Sequence, residues 1–181
     1  MQTSIPRSGQ PRAIAGLVGD TRDNVIVSAF NSEVATVIGY GLGVVNPGTE
    51  RQARLPAGGA DIFMGVTVFE LGHQPDTGGF DLVSGASGGI KPKGALKVLR
   101  EGAIWVVCDP NIGAVTPYSD RAHLRHTVNG AANKIGAFVN VADGGNTIDL
   151  TKLIVFVSPV ITAADGVTKI ALVEIEATVK P

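Results

Sequence analysis

Several things are scarce in this sequence, and each scarcity excludes a class. One cysteine, Cys108, stands among 181 residues, so no internal disulfide framework exists. Folding without disulfides fits a reducing compartment. Aromatic residues are 5% and scattered, which excludes a stacking platform for single-stranded nucleic acid. Charged residues are 17%, against roughly 25% in typical soluble domains. Fifteen basic and 16 acidic side chains give a net charge of −1, with no Lys/Arg cluster to neutralise phosphates. No apolar run reaches the about 18 residues of a membrane-spanning helix. Runs such as Leu153 to Val157 have the size of a strand. The opening MQTSIPRSGQPR carries two prolines, two arginines and no apolar centre, so it reads as no signal peptide.

What is present points to β-structure. Val numbers 23 and Ile 14, against 11 Leu and 2 Met. Branching at Cβ suits a pleated surface and restricts rotamers in a helix. Glycine, at 24 residues, supplies turns and bends. The 18.6 kDa mass fits one domain, or one domain with an arm. Few charges and near-zero net charge make a surface that tolerates self-association.

Residues 1–24 follow neither a two-residue nor a 3.6-residue period and read as an extended N-terminal arm. Pro6 and Pro11 favour extended backbone at Ile5 and Gln10. Residues 25–181 read as a single β-rich domain. Strands are expected over Val25–Phe30, Val34–Ile38, Ile62–Glu70, Ile135–Val141, Leu153–Val157 and Lys169–Val179. In the last, Ala171, Val173, Ile175, Ala177 and Val179 share one face, opposite Glu174, Glu176 and Thr178. Gly65 inside its strand marks a bulge or a close backbone approach, and Gly39, Gly41 and Gly43 mark a sheet corner. Asn46-Pro47-Gly48 is a turn. Leu96–Leu99, Arg100-Glu101-Gly102 and Ala103–Cys108 read as a β-hairpin. Residues 71–94 read as a long loop. Ser119–Thr127 is the one helix-like piece, capped by Ser119 or Asp120. The fold class is therefore mainly β: an antiparallel β-barrel or sandwich, jelly-roll-like or β-tulip-like, with an extended N-terminal arm and one short helix.

No catalytic constellation survives inspection. Gly85-Ala86-Ser87-Gly88-Gly89 matches G-x-S-x-G, but a nucleophile elbow needs a strand before it and a helix after it, and Pro92 and Gly94 oppose that helix. Gly39–Gly43 lacks the spacing and the following helix of a dinucleotide site. His123 and His126 could share a helix face, yet a zinc site needs further ligands and His73 is the only other histidine. Cys108 sits in a strand-like run and reads as a buried, inert thiol. No catalytic residue, cofactor site or metal site is assigned.

The segments Ala35-Thr36-Val37-Ile38-Gly39-Tyr40-Gly41, Leu55-Pro56, Phe63-Met64-Gly65-Val66-Thr67-Val68 and Val98-Leu99-Arg100-Glu101-Gly102-Ala103-Ile104-Trp105-Val106 resemble tailed-bacteriophage capsid cement (decoration) proteins. The resemblance spans roughly residues 25–140. It implies a small β-rich virion protein with no catalytic residues. Such a protein binds the outside of the assembled shell and stabilises joints between major capsid proteins. Its expected partners are the major capsid protein and copies of itself, a trimer rather than a dimer, without nucleic acid or membrane. It would assemble in the bacterial host cytoplasm. Candidate contact residues are Ile5, Pro6, Arg7, Pro11 and Arg12 of the arm, and Arg121 and Arg125 of a small basic patch with the two histidines. Deleting residues 1–20 should then leave a folded body that binds shells poorly. The alternative is another phage β-module of a tail tube, connector or fibre. A carbohydrate-binding barrel would need exposed loop aromatics, for which only Phe80 and Tyr118 are candidates.

Overall fold

The computed structural model describes residues 13–19, 24–69, 89–128, 134–163 and 166–176. The strands among them are β1 (Val25–Asn31), β2 (Ile38–Gly39), β3 (Gly43–Asn46), β4 (Gln52–Ala53), β5 (Ile62–Thr67), β6 (Gly89–Ile90), β7 (Ala95–Val107), β8 (His123–Arg125), β9 (Phe138–Val139), β10 (Thr147–Asp149), β11 (Ile154–Phe156), β12 (Ile161–Thr162) and β13 (Lys169–Ile175). Among the described residues helix is confined to one 3-10 turn, Gly144–Asn146.

Following the pairs closes a small ring. β7 pairs antiparallel with β1, β1 runs parallel to β4, and Arg54 just after β4 bridges Val45 of β3. β3 pairs antiparallel with β5, and β5 returns to β7. The interior of this nearly closed barrel holds Ala29, Val44, Ala53, Leu96 and Val98, and Ile38 and Ile90 of the β2–β6 pair add to the same cluster. A second, larger core lies between the β11–β13–β7 sheet and the three-stranded sheet β10–β8–β9. It contains Ile104, Val106, Leu124, Phe138, Ile148, Ile154, Phe156 and Val173. Val98 belongs to the first core and its neighbour Leu99 to the second, as do Val44 and Val45. Successive strand residues face opposite ways, so β3 and β7 serve both cores at once.

The expected β13 alternation is present, with Ala171, Val173 and Ile175 buried and Glu174 and Glu176 outside the core. Ala177 and Val179 lie outside the described residues. Gly65 marks both features expected of it. The β3–β5 register slips between Val44 and Val45, and a methyl group on Gly65 would overlap the Leu99 carbonyl oxygen. Gly41, at φ +72°, turns the chain from the β2–β6 pair into the main sheet. Gly48 completes the Asn46 turn by donating its amide to Asn46 Oδ1 at 2.8 Å.

Three expectations fail. The hairpin over Leu96–Cys108 is one strand, β7, of 13 residues. Glu101 pairs with Val25 and Leu99 with Ile26, so Arg100 is an extra residue in a bulge. Gly102, at φ +114°, bends the strand without reversing it, and β13 takes up the pairing from there to Val107. The short helix over Ser119–Thr127 is also absent: Arg121 bridges Val155, and His123–Arg125 is β8. Ala122 and Leu124, both fully buried, show the two-residue period that decides the matter. Asp120 caps a turn, accepting the Thr116 amide at 3.1 Å. Val34–Val37 is a loop leading into β2, not a strand, and Val34 is 95% exposed.

Candidate functional site

The described part of the arm is built into the body. Gly16 donates to the Trp105 carbonyl at 2.7 Å, Trp105 to Leu17 at 2.9 Å, and Gly19 to Ala103 at 2.7 Å. Phe69 donates to Gly16 at 2.8 Å, and Ala13 is 4% exposed. Gly16–Gly19 is thus an extra strand-like rung on β7, entered through a turn in which Leu17 donates to the Ile14 carbonyl at 3.0 Å, and Gly16 at φ +80° fits where a side chain would meet Thr67 and Phe69 backbone. Ile5, Pro6, Arg7, Pro11 and Arg12 lie outside the described residues, as do His73, Phe80 and Ser87.

The basic patch is dispersed once the helix is replaced by a strand. Arg121 is partly exposed and pairs with Glu176 at 2.8 Å. Arg125 is 5% exposed and turned inward. Its Nε lies 2.6 Å from Asp109 Oδ2, and its Nη1 lies 2.8 Å from Asp143 Oδ2. Asp109 is fully buried, and its Oδ1 accepts the Asn111 amide at 2.9 Å. This triad ties β8 to the loop after β7 and to the 3-10 turn. It floors an open pocket of about 350 Å³ lined also by Ile112, Asn140 and Val141. Asp109-Pro110-Asn111 reads as a plain turn in the sequence, and nothing local reveals that its carboxylate meets an arginine 16 residues on. His123 faces Asp149 at 3.8 Å, while His126 is buried with Nδ1 2.8 Å from Thr127 Oγ1. An odd spacing on extended backbone sends the two rings to different sides.

Chemistry finds little purchase among the described residues. Burial pushes the Cys108 thiol up to about 12, so the thiolate needed for nucleophilic attack is scarce at neutral pH. Among the described residues no cluster of three or more His, Cys, Asp or Glu could hold a metal, and no helix is long and apolar enough to cross a membrane.

The barrel rim is the better candidate for contact. Phe30, Val34, Val37 and Ile62 are 51%, 95%, 50% and 74% exposed. They are carried on a braced scaffold. Asn31 Nδ2 donates to Thr36 and Ile90 carbonyls at 3.0 and 2.8 Å, and Glu33 Oε1 accepts the Leu55 amide at 3.0 Å. Arg54 Nη2 meets Asp61 Oδ1 at 2.6 Å, and Asp61 Oδ2 accepts the amides of Ala57 and Gly58 at 2.7 and 3.0 Å. Burial raises the Asp61 carboxyl, but those amides and the guanidinium outweigh it, leaving it below its ordinary 3.8. A lowered native value means stability that is complete above 3.8 and lost as pH falls through the native value. Asp61→Asn should therefore cost about 1–3 kcal/mol at neutral pH. The difference from the parent should close in acid, as thermal melts down a pH series would show.

A family model described as "Structural cement protein (E217 gp24/Pam3 gp6)" matches residues 1–173. Among solved structures, a chain of "The capsid of Myoviridae Phage XM1" superposes with a TM-score of 0.65. It is 14% identical, and the match covers 97% of this chain and 97% of that one, which shows a shared fold. No curated protein matches.

Proposed function

The chain belongs to the structural cement protein family and is a phage capsid cement, or decoration, protein of the virion, and we propose that it sits on the outer face of the assembled shell and bridges joints between major capsid proteins. A ligand that binds only the assembled lattice stabilises that lattice by mass action. The protein is mortar and performs no catalysis. Residues 25–181 act as one β-rich domain and residues 1–24 as its arm, added as the shell matures in the host cytoplasm. Its partners are shell proteins and copies of itself, grouped as trimers because joints of a hexagonal lattice have threefold geometry. Several weak contacts per joint then combine by avidity. Neither nucleic acid nor membrane has a part in this reading.

The observation that carries it is the anchoring of Gly16–Gly19 on β7. It gives residues 1–12 a fixed root on a rigid body, from which Ile5, Pro6, Arg7, Pro11 and Arg12 can reach a neighbour. Arg121, at the surface, is the body's contribution to contact. Because residues 13–19 are woven into the body, the informative truncation removes 1–12 and not 1–20. Mixed with undecorated shells and sedimented, the protein lacking residues 1–12 should bind about a hundredfold more weakly, the order of an avidity term. Its melting temperature should match that of the full chain. Decoration equal to the full chain would overturn the reading.

A further inference from the structure

Three non-glycine residues among the described ones hold a positive φ: Arg51 at +56°, Lys93 at +63° and Tyr118 at +62°. An L side chain adopts that backbone only under strain, and strain of this kind gathers at functional positions. Two of the three meet at the barrel rim. The Arg51 carbonyl accepts the Phe30 amide at 2.8 Å, and the Lys93 amide donates to the Asn31 carbonyl at 2.8 Å. β4 lies on one side of β1 and the turn into β7 on the other, so the two cations bracket the end of β1. Asn31 Nδ2 also ties Thr36, in the loop that carries Val34 and Val37, to Ile90 at the head of the Lys93 turn. The exposed side chains of Phe30, Val34 and Val37 thus share one surface with Arg51 and Lys93. Neither cation is firmly engaged. Arg51 Nε is 3.9 Å from Glu50, with the side chains 75% and 92% exposed, a pairing worth little in water. Lys93 is exposed, and among the described residues it forms no ion pair.

We propose that this rim docks an acidic, apolar segment of the shell protein, with Arg51 and Lys93 meeting its carboxylates and Phe30, Val34 and Val37 covering its apolar side chains. The proposal rests on the reading that the protein binds the assembled shell. A bare polyanion would satisfy the two cations and leave Phe30 and Val34 in water. A second copy fits poorly as the occupant. Four carboxylates among the described residues stand within two positions of a large exposed apolar side chain: Glu33, Asp61, Asp120 and Asp143. All four are bonded within their own chain, to the Leu55 amide, Arg54, the Thr116 amide and Arg125. The shell is the partner left to supply the acids. The β1 hydrogen bonds hold both turns in one conformation, so little backbone freedom is lost on docking. Charges at the edge of such a contact govern encounter and selectivity, and its desolvated apolar centre governs residence.

Arg51→Gly/Lys93→Gly removes both cations and suits the backbone at both positions. Its melting temperature should be no lower than that of the parent. It should bind undecorated shells about tenfold more weakly in sedimentation, and the difference should close as salt rises. Weaker binding with a lower melting temperature would make the two residues structural and overturn the proposal. Lys93→Arg keeps the charge and should decorate as the parent does. A carbodiimide, which condenses an amine with a carboxylate in contact, should join Lys93 of the decorated particle to an acidic peptide of the shell protein. Coupling of Lys93 to its own chain or to another copy instead, or no coupling at all, would overturn the proposal. If loss of residues 1–12 weakens decoration and the double glycine variant decorates as the parent does, the rim is wrong and the bridging arm stands. If neither affects decoration, both fall.

Discussion

Replacing Arg125 with methionine should cost about 3–5 kcal/mol, a large part of the about 5–15 kcal/mol that holds a domain folded. The reason is the partner left behind. Asp109 has no exposed surface, and without the guanidinium its carboxylate is a charge buried with only the Asn111 amide for support. Asp143 matters less: its side chain is 38% exposed, and its ion pair is worth about 1 kcal/mol or less by the measure of exposed pairs. Adding Asp109→Asn to the Arg125→Met chain removes the stranded charge and keeps an Oδ1 for Asn111. Much of the lost stability should return. Urea titration of the parent and both variants reads this directly. An Arg125→Met protein that kept its stability and lost only its grip on shells would make Arg125 a contact residue after all.

Gly65→Ala should be nearly as damaging. The backbone there has φ +150°, which L side chains rarely adopt, and the new methyl would collide with the Leu99 carbonyl and the Val98 side chain. Strain of about 1–3 kcal/mol and overpacking of about 1–3 kcal/mol act together. A combined loss near 4 kcal/mol lowers the melting temperature of a chain this size by about 8–16 °C. Gly58→Ala is the control. It has open space around the added methyl, and should lie within about 0.5 kcal/mol of the parent.

The sequence tells apart what local periodicity can tell apart. β13 is legible because its alternation is a direct image of one buried face, and Gly65 is legible because a glycine inside a β-branched run has few other uses. Gly102 is the instructive failure. A glycine at positive φ serves a hairpin turn and a strand bend equally well, and only the partners β1 and β13 decide between them. Ser119–Thr127 misleads for a similar reason: Asp120 is as good a cap for a turn as for a helix, and nine residues are too few for either period to dominate. The Arg125 triad could not be foreseen. Its charges come from the loop after β7, from β8 and from the start of the 3-10 turn, and the fold alone unites them. The arm is half legible: its extended, Pro-marked character shows in the sequence, but its weld to β7 through Gly16 and Leu17 depends on Trp105.

The undivided length of β7 gives the molecule a mechanical grain. Its hydrogen bonds lie across the strand, to β1 and β5 over one half and to β13 over the other. A tug along its axis loads all those rungs together, in shear. A tug at right angles peels them one after another. The protein thus has a stiff direction and a compliant one, and its mounting on the shell selects which of them resists expansion.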